Sequence, residues 1–114
     1  MMRPYYVGEL EQPVTKNAAP KMADPAFEKE VELAVMPNPF SARFSIRFNL
    51  PYSADVRVNM YDSKGSRVKS IQNKAMSKGE QVISVEGTEL VNGIYFCEII
   101  INQQRILRKM ILQK

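Results

Sequence analysis

Between residues 43 and 50 the chain alternates strictly: Phe44, Ile46, Phe48 and Leu50 are apolar, while Arg43, Ser45, Arg47 and Asn49 are polar. In an extended strand successive side chains point to opposite faces, so this spacing puts one row in a core and the other in water. The same residues on a helix would be scattered around its circumference. The pattern recurs. Val56, Val58 and Met60 alternate with Asp55, Arg57 and Asn59, and Val31, Leu33 and Val35 alternate with Glu32 and Ala34. Further strands are expected at residues 67–72, 81–86, 94–101 and 105–112.

The punctuation between these runs is turn chemistry. Asp62-Ser63-Lys64-Gly65, Ser77-Lys78-Gly79-Glu80 and Asn92-Gly93 place glycine where positive φ is needed and Asp or Asn where a reversal is capped. Asn102-Gln103 reads as a tight connection between the last two strands. Seven short strands with a turn about every ten residues imply an all-β fold, an immunoglobulin-like antiparallel β-sandwich of about seven strands. Phe44, Ile46 and Phe48 are expected to point inward, and the strand at 105–112 to pair with that at 94–101 as a terminal edge.

Pro4, Pro13, Pro20 and Pro25 interrupt any long helix or central strand. Residues 1–35 are therefore expected to be an extended, largely irregular linker, with one turn of helix at 25–30 and protease access between about residues 16 and 29. The sandwich is expected to occupy 36–114. Charge divides with it: of 16 Lys/Arg and 12 Asp/Glu, residues 1–35 hold four and six, leaving twelve and six, or +6, for the sandwich. Such an excess favours acidic partners or simply keeps a surface soluble.

Catalytic chemistry has little to work with. Histidine is absent, which removes the commonest general base and metal ligand. Cys97, the only cysteine, lies in the apolar run 94–101 and reads as a core residue; alone it forms no intramolecular disulfide and no cysteine zinc cluster. Glu86 and Glu89 flank Gly87-Thr88, with nothing to make them an acid pair. The five glycines are too dispersed for a phosphate loop, and Phe44 and Phe48 fall on core rows rather than on a base-stacking platform. No cofactor, metal or nucleic-acid partner is implied. No apolar run is long enough to span a bilayer as a helix. The chain reads as non-enzymatic.

Three stretches together resemble the C-terminal sorting domain of type IX secretion substrates, the exported cargo of Bacteroidetes-type bacteria. They are Val35-Met36-Pro37-Asn38-Pro39-Phe40, with its Pro-Asn-Pro core; Val58-Asn59-Met60-Tyr61-Asp62-Ser63-Lys64-Gly65-Ser66-Arg67-Val68, a strand, turn and strand; and Leu90-Val91-Asn92-Gly93-Ile94-Tyr95-Phe96 leading to Arg108-Lys109-Met110-Ile111-Leu112-Gln113-Lys114. Met36, where an aromatic is frequent, and Cys97 depart from the family pattern. The resemblance implies recognition through Pro37, Asn38, Pro39, Gly65, Gly93, Tyr95, Lys109, Ile111, Leu112 and Lys114. It also implies an N-terminal cargo domain, transit through the periplasm, and contact with an outer-membrane translocon and a shuttle protein. A sortase-like protease would then remove the domain and leave the cargo at the cell surface. Residues 1–35 would hold the end of the cargo and the cut site. Residues 1–9 have no apolar stretch of signal-peptide length, so the chain is expected to be a piece of a larger exported protein or a curtailed reading frame. The alternative function is a non-catalytic carbohydrate- or protein-binding module, which calls for an aromatic platform or basic groove on one face.

Overall fold

The computed structural model describes residues 21–114. The elements are β1 (Lys21–Met22), α1 (Pro25–Val31), β2 (Ala34–Met36), β3 (Arg43–Leu50), β4 (Ala54–Asp62), β5 (Arg67–Met76), β6 (Gly79–Glu86), β7 (Gly93–Ile101) and β8 (Gln104–Leu112). They form two sheets, one of five strands in the order β1-β8-β7-β4-β5 and one of three in the order β2-β3-β6. The sheets face one another as a sandwich. Its core takes the apolar row of β3, where Phe44, Ile46, Phe48 and Leu50 are each at most 1% exposed. Val56, Val58 and Met60 of β4, Cys97, Ile99 and Ile101 of β7, and Ile106, Met110 and Leu112 of β8 meet it from the larger sheet. The alternation at 43–50 thus maps directly onto burial, since a period of two on a half-buried strand permits only one face inward.

Two expectations are revised. The first concerns residues 21–35, which are not a free linker. Asp24 caps α1, its Oδ1 accepting from the amide of Phe27 at 2.9 Å, and Pro25 opens the first turn. Glu32 adopts the left-handed conformation and ends the helix, its amide donating to the Glu28 carbonyl. Phe27 and Val31 are four apart and share one helical face, which is buried with Ala23 in the sandwich core. The Val31-Leu33-Val35 alternation therefore spans a helix end and a strand of three residues, and Val31 follows the helical period. The linker expected at residues 1–20 lies outside the described residues.

The second concerns β8. It pairs with β7 along its whole length, from Gly93↔Leu112 to Ile101↔Gln104. Its outer side, however, is not an open edge. β1 joins it in parallel at Gln104 and Arg105, and Phe40 forms a parallel bridge to Leu112 at its other end. The sandwich is thus antiparallel except along this strand. The large sheet ends in the two-residue β1 on this side and in β5 on the other, and β5 runs to Met76 rather than ending near 72. Its register shifts twice against β4, leaving Val68 and Ile71 opposite no partner.

Candidate functional site

One end of the sandwich gathers most of the residues singled out in the sequence. Pro37 and Pro39 have no amide hydrogen to offer a ladder, and Asn38 between them turns its side chain onto the last strand. Its Nδ2 donates to the Lys109 carbonyl at 2.9 Å and its Oδ1 accepts from the Ile111 amide at 3.0 Å. The carboxamide thereby supplies the donor and acceptor that a neighbouring strand would have supplied. Phe40 continues the contact through backbone alone: its amide donates to the Ile111 carbonyl and its carbonyl accepts from Gln113, both at 2.9 Å. The Phe40 ring is buried edge-on to Phe44, with centroids 4.8 Å apart. Gly87 lies beneath that ring so closely that a Cβ there would sit 2.8 Å from Phe40 Cε2.

On the inner side of β8, Gly93 pairs with Leu112 and Tyr95 with Met110. Tyr95 buries its ring and donates its hydroxyl to the Val91 carbonyl at 2.6 Å, pinning the loop before β7. The chain end returns to the same loop. The Lys114 amide donates to Asn92 Oδ1 at 3.0 Å, and Lys114 Nζ reaches the Thr88 carbonyl at 2.8 Å. Lys69 of β5 pairs with Glu89 in that loop, and this hydrogen bond holds the Glu89 carboxyl below its ordinary range. Pro37, Asn38, Pro39, Gly93, Tyr95, Lys109, Ile111, Leu112 and Lys114 are thus one contiguous structure around the last strand. Tyr95 and Leu112 are buried within it, whereas Lys109, Ile111 and Lys114 have exposed side chains.

Gly65 stands apart, in the turn after β4. Its φ of +91° is left-handed, which only glycine adopts without strain. Asp62 organises that turn, its Oδ1 accepting from the amides of Lys64 and Ser66. The turn borders a groove of about 610 Å³ on the outer face of the five-stranded sheet, lined also by Tyr61, Phe96, Glu98, Arg105 and Leu107. Glu98 is only 6% exposed, though it is the one acid in the run 94–101. Its Oε1 accepts from Asn59 Nδ2 at 3.2 Å and from the Tyr61 hydroxyl at 3.0 Å. Arg105 Nε lies 2.8 Å from its Oε2 but out of line for a hydrogen bond, so this contact is a charge pair. Burial, then the bond to Glu98, pushes the Tyr61 phenol above its usual value. A lone acid inside an apolar strand is the one sequence signal that marks Glu98; its partners lie 37 and 39 residues before it, or in the next strand, and no local pattern names them.

Cys97, next to Glu98 but on the inner face, is fully buried, and burial followed by the Glu98 charge pushes its thiol up to about 12. Such a thiol is a poor nucleophile at neutral pH. Among the described residues no helix is long and apolar enough to cross a membrane.

The fold and this end together define a class of protein: a small β-sandwich whose last strand is held from both sides and displays the side chains of Lys109 and Ile111 on its surface. A family model described as a secretion system C-terminal sorting domain matches residues 34–113, and the chain belongs to that family, the sorting domains of type IX secretion. No curated protein matches the sequence. The family is one of sorting signals, not of enzymes, and its members are cargo-attached tails handled by the type IX machinery of Bacteroidetes for export toward the cell surface.

Proposed function

We propose that residues 21–114 are the unit read by the type IX outer-membrane translocon and its shuttle protein after transit through the periplasm, and that a sortase-like protease cuts the chain before this unit and leaves the cargo on the surface. Residues 1–20 then carry the junction with the cargo. The supporting observation is the convergence of Pro37-Asn38-Pro39, Asn92-Gly93 and residues 109–114 on a single end of the sandwich, held by the two hydrogen bonds of the Asn38 carboxamide. Lys109, Ile111 and Lys114 are displayed for contact, while Asn38, Tyr95 and Leu112 fix the strand that displays them. The catalytic groups of the cut belong to the protease.

The test is to fuse the whole chain behind an exported reporter in type IX-competent cells, alongside a version with a short polar tag after Lys114. The untagged fusion is expected at the surface and the tagged one to be retained, with both domains melting alike in purified form. Surface delivery of both to the same level overturns terminal recognition. A non-catalytic binding module remains the second reading, favoured by Tyr61 and Phe96 in the outer groove. It predicts that the tagged fusion is delivered as well as the untagged one.

A further inference from the structure

With the outer edge of β8 occupied by β1, Asn38 and Phe40, a partner strand cannot add along most of it. What β8 still offers is its outward side chains. Cross-strand register sets Leu107 beside Glu98, Lys109 beside Phe96 and Ile111 beside Ile94. On the far side of β7, Tyr61 lies beside Phe96, with Arg67 beyond it on β5. Ile94 and Ile111 are 42% and 37% exposed and form an apolar pair at the end of this row. Among the described residues Lys109 and Arg67 form no ion pair; of the acids lining the groove, Glu98 is buried and held by three side chains, Arg105 among them, and Asp62 is engaged by its own turn. Asp55 lies near the other end of β4. The outer face of the three-stranded sheet differs, since its arginines are answered by Glu86 and Glu80 at 3.4 and 3.7 Å.

We propose that the outer face of the five-stranded sheet is the docking face of the domain, and that it takes an acidic protein segment which seats an apolar side chain in the groove between Tyr61, Phe96 and Leu107 and sets its carboxylates against Lys109, Arg67 and Arg105. The groove provides a concave apolar anchor site with aromatic walls. Lys109 and Arg67, which form no ion pair among the described residues, select the sign of the partner and steer its approach, while Arg105 keeps its pair with Glu98. Buried Glu98 orients Arg105 through their charge pair and leaves the rest of the guanidinium to the groove. This deepens the sorting reading by naming the face and the chemistry of the partner, and rests on that reading only for the partner's place in export.

The whole 114-residue chain is titrated against a fluorescein-labelled peptide of alternating Glu and Phe, read by anisotropy. Saturable, salt-sensitive binding is expected. The pair Lys109→Glu with Arg67→Glu should weaken it by about tenfold or more, since both partners of the rim charges become repulsive. The pair Arg43→Gln with Arg47→Gln, on the opposite face, should leave it within about twofold. Leu107→Ser, which keeps every charge, should weaken it while the thermal melt still shows a folded domain. No saturable binding, or equal losses from the two faces, overturns the proposal. So does uptake by phosphatidylglycerol vesicles through Lys109 and Arg67 without peptide binding, which would make the face a membrane contact. In the reporter fusion, normal delivery of the Lys109→Glu, Arg67→Glu chain beside a delivered wild type refutes the face and Lys109 as a contact, and leaves the sorting reading to Ile111 and Lys114. An undelivered wild type refutes the sorting reading, and the peptide titration then decides the face by itself.

Discussion

β8 and β5 lie on opposite sides of the same sheet and avoid unwanted strand pairing by different means. β8 is covered by chain from the other end of the sequence: Lys21 and Met22 at one end, Asn38 and Phe40 at the other, with α1 alongside through the Arg108–Glu28 pair at 2.9 Å. Among the described residues no strand pairs with the outer side of β5, and two register shifts break its regularity, while Lys69, Asn73 and Lys74 place polar groups along it. Bulges twist an edge away from a flat template, and charges deter a neutral strand from joining it. Covering requires specific partners; distortion requires only a local misfit. The strand that carries the terminal residues is therefore also the one whose position depends most on distant chain.

That contrast predicts unequal sensitivity to mutation. The largest effect is expected at Phe27, which packs α1 into the core: Phe27→Ala should lower stability by about 3 kcal/mol, the lower part of the usual range for a buried Phe. Denaturant melts measure the loss, and hydrogen exchange should show β8 amides opening before those of β4. A loss no larger than that of a surface substitution would mean that the helix does not seal this side.

Cys97 joins the two sides, paired with Met60 of β4 and Arg108 of β8. Its thiol is raised in the folded state from 9.0 to about 12. The neutral form is thus favoured by folding, and this contribution is complete below about pH 9 and lost as pH rises from there toward about 12. Cys97→Ala should flatten stability measured across that window. The thiol should also resist iodoacetamide at pH 8 until denaturant is added; rapid labelling of the native chain would contradict a closed core.

Asn38→Ala removes two hydrogen bonds from the covered edge. Because both groups reach solvent, the expected cost is about 1 kcal/mol. Val68→Thr on β5, at an unmatched and exposed position, should fall within about 0.5 kcal/mol of the parent. If the Val68 variant costs more than the Asn38 one, the bulged edge is packed more tightly than its register suggests.

The alternating runs at 43–50 and 56–60 were legible because side-chain period in a strand is a local property, and the structure buries Phe44, Ile46, Phe48, Val56, Val58 and Met60 as that period demands. The turns at Asp62–Gly65 and Asn102-Gln103 were equally legible, since their backbone conformations select particular residues. The sorting family was recognisable from the order of Pro-Asn-Pro, turn and terminal motifs. Helix α1 was only half legible: its short Pro25 turn was visible, but Val31 counts toward either period. Whether Phe27 and Val31 meet a core depends on surface supplied by strands far along the chain.

The same reason governs the site. Sequence alone determined which residues are turns, which face of each long strand is apolar, and that no histidine chemistry exists here. Only the tertiary structure decided that Asn38 would stand in for a strand beside Lys109 and Ile111, that the last strand would be covered rather than open, and that Glu98 would find its partners on two neighbouring strands. Local rules act over a few residues, whereas each of these contacts joins positions between 7 and 83 apart and is set by which strands the fold brings side by side.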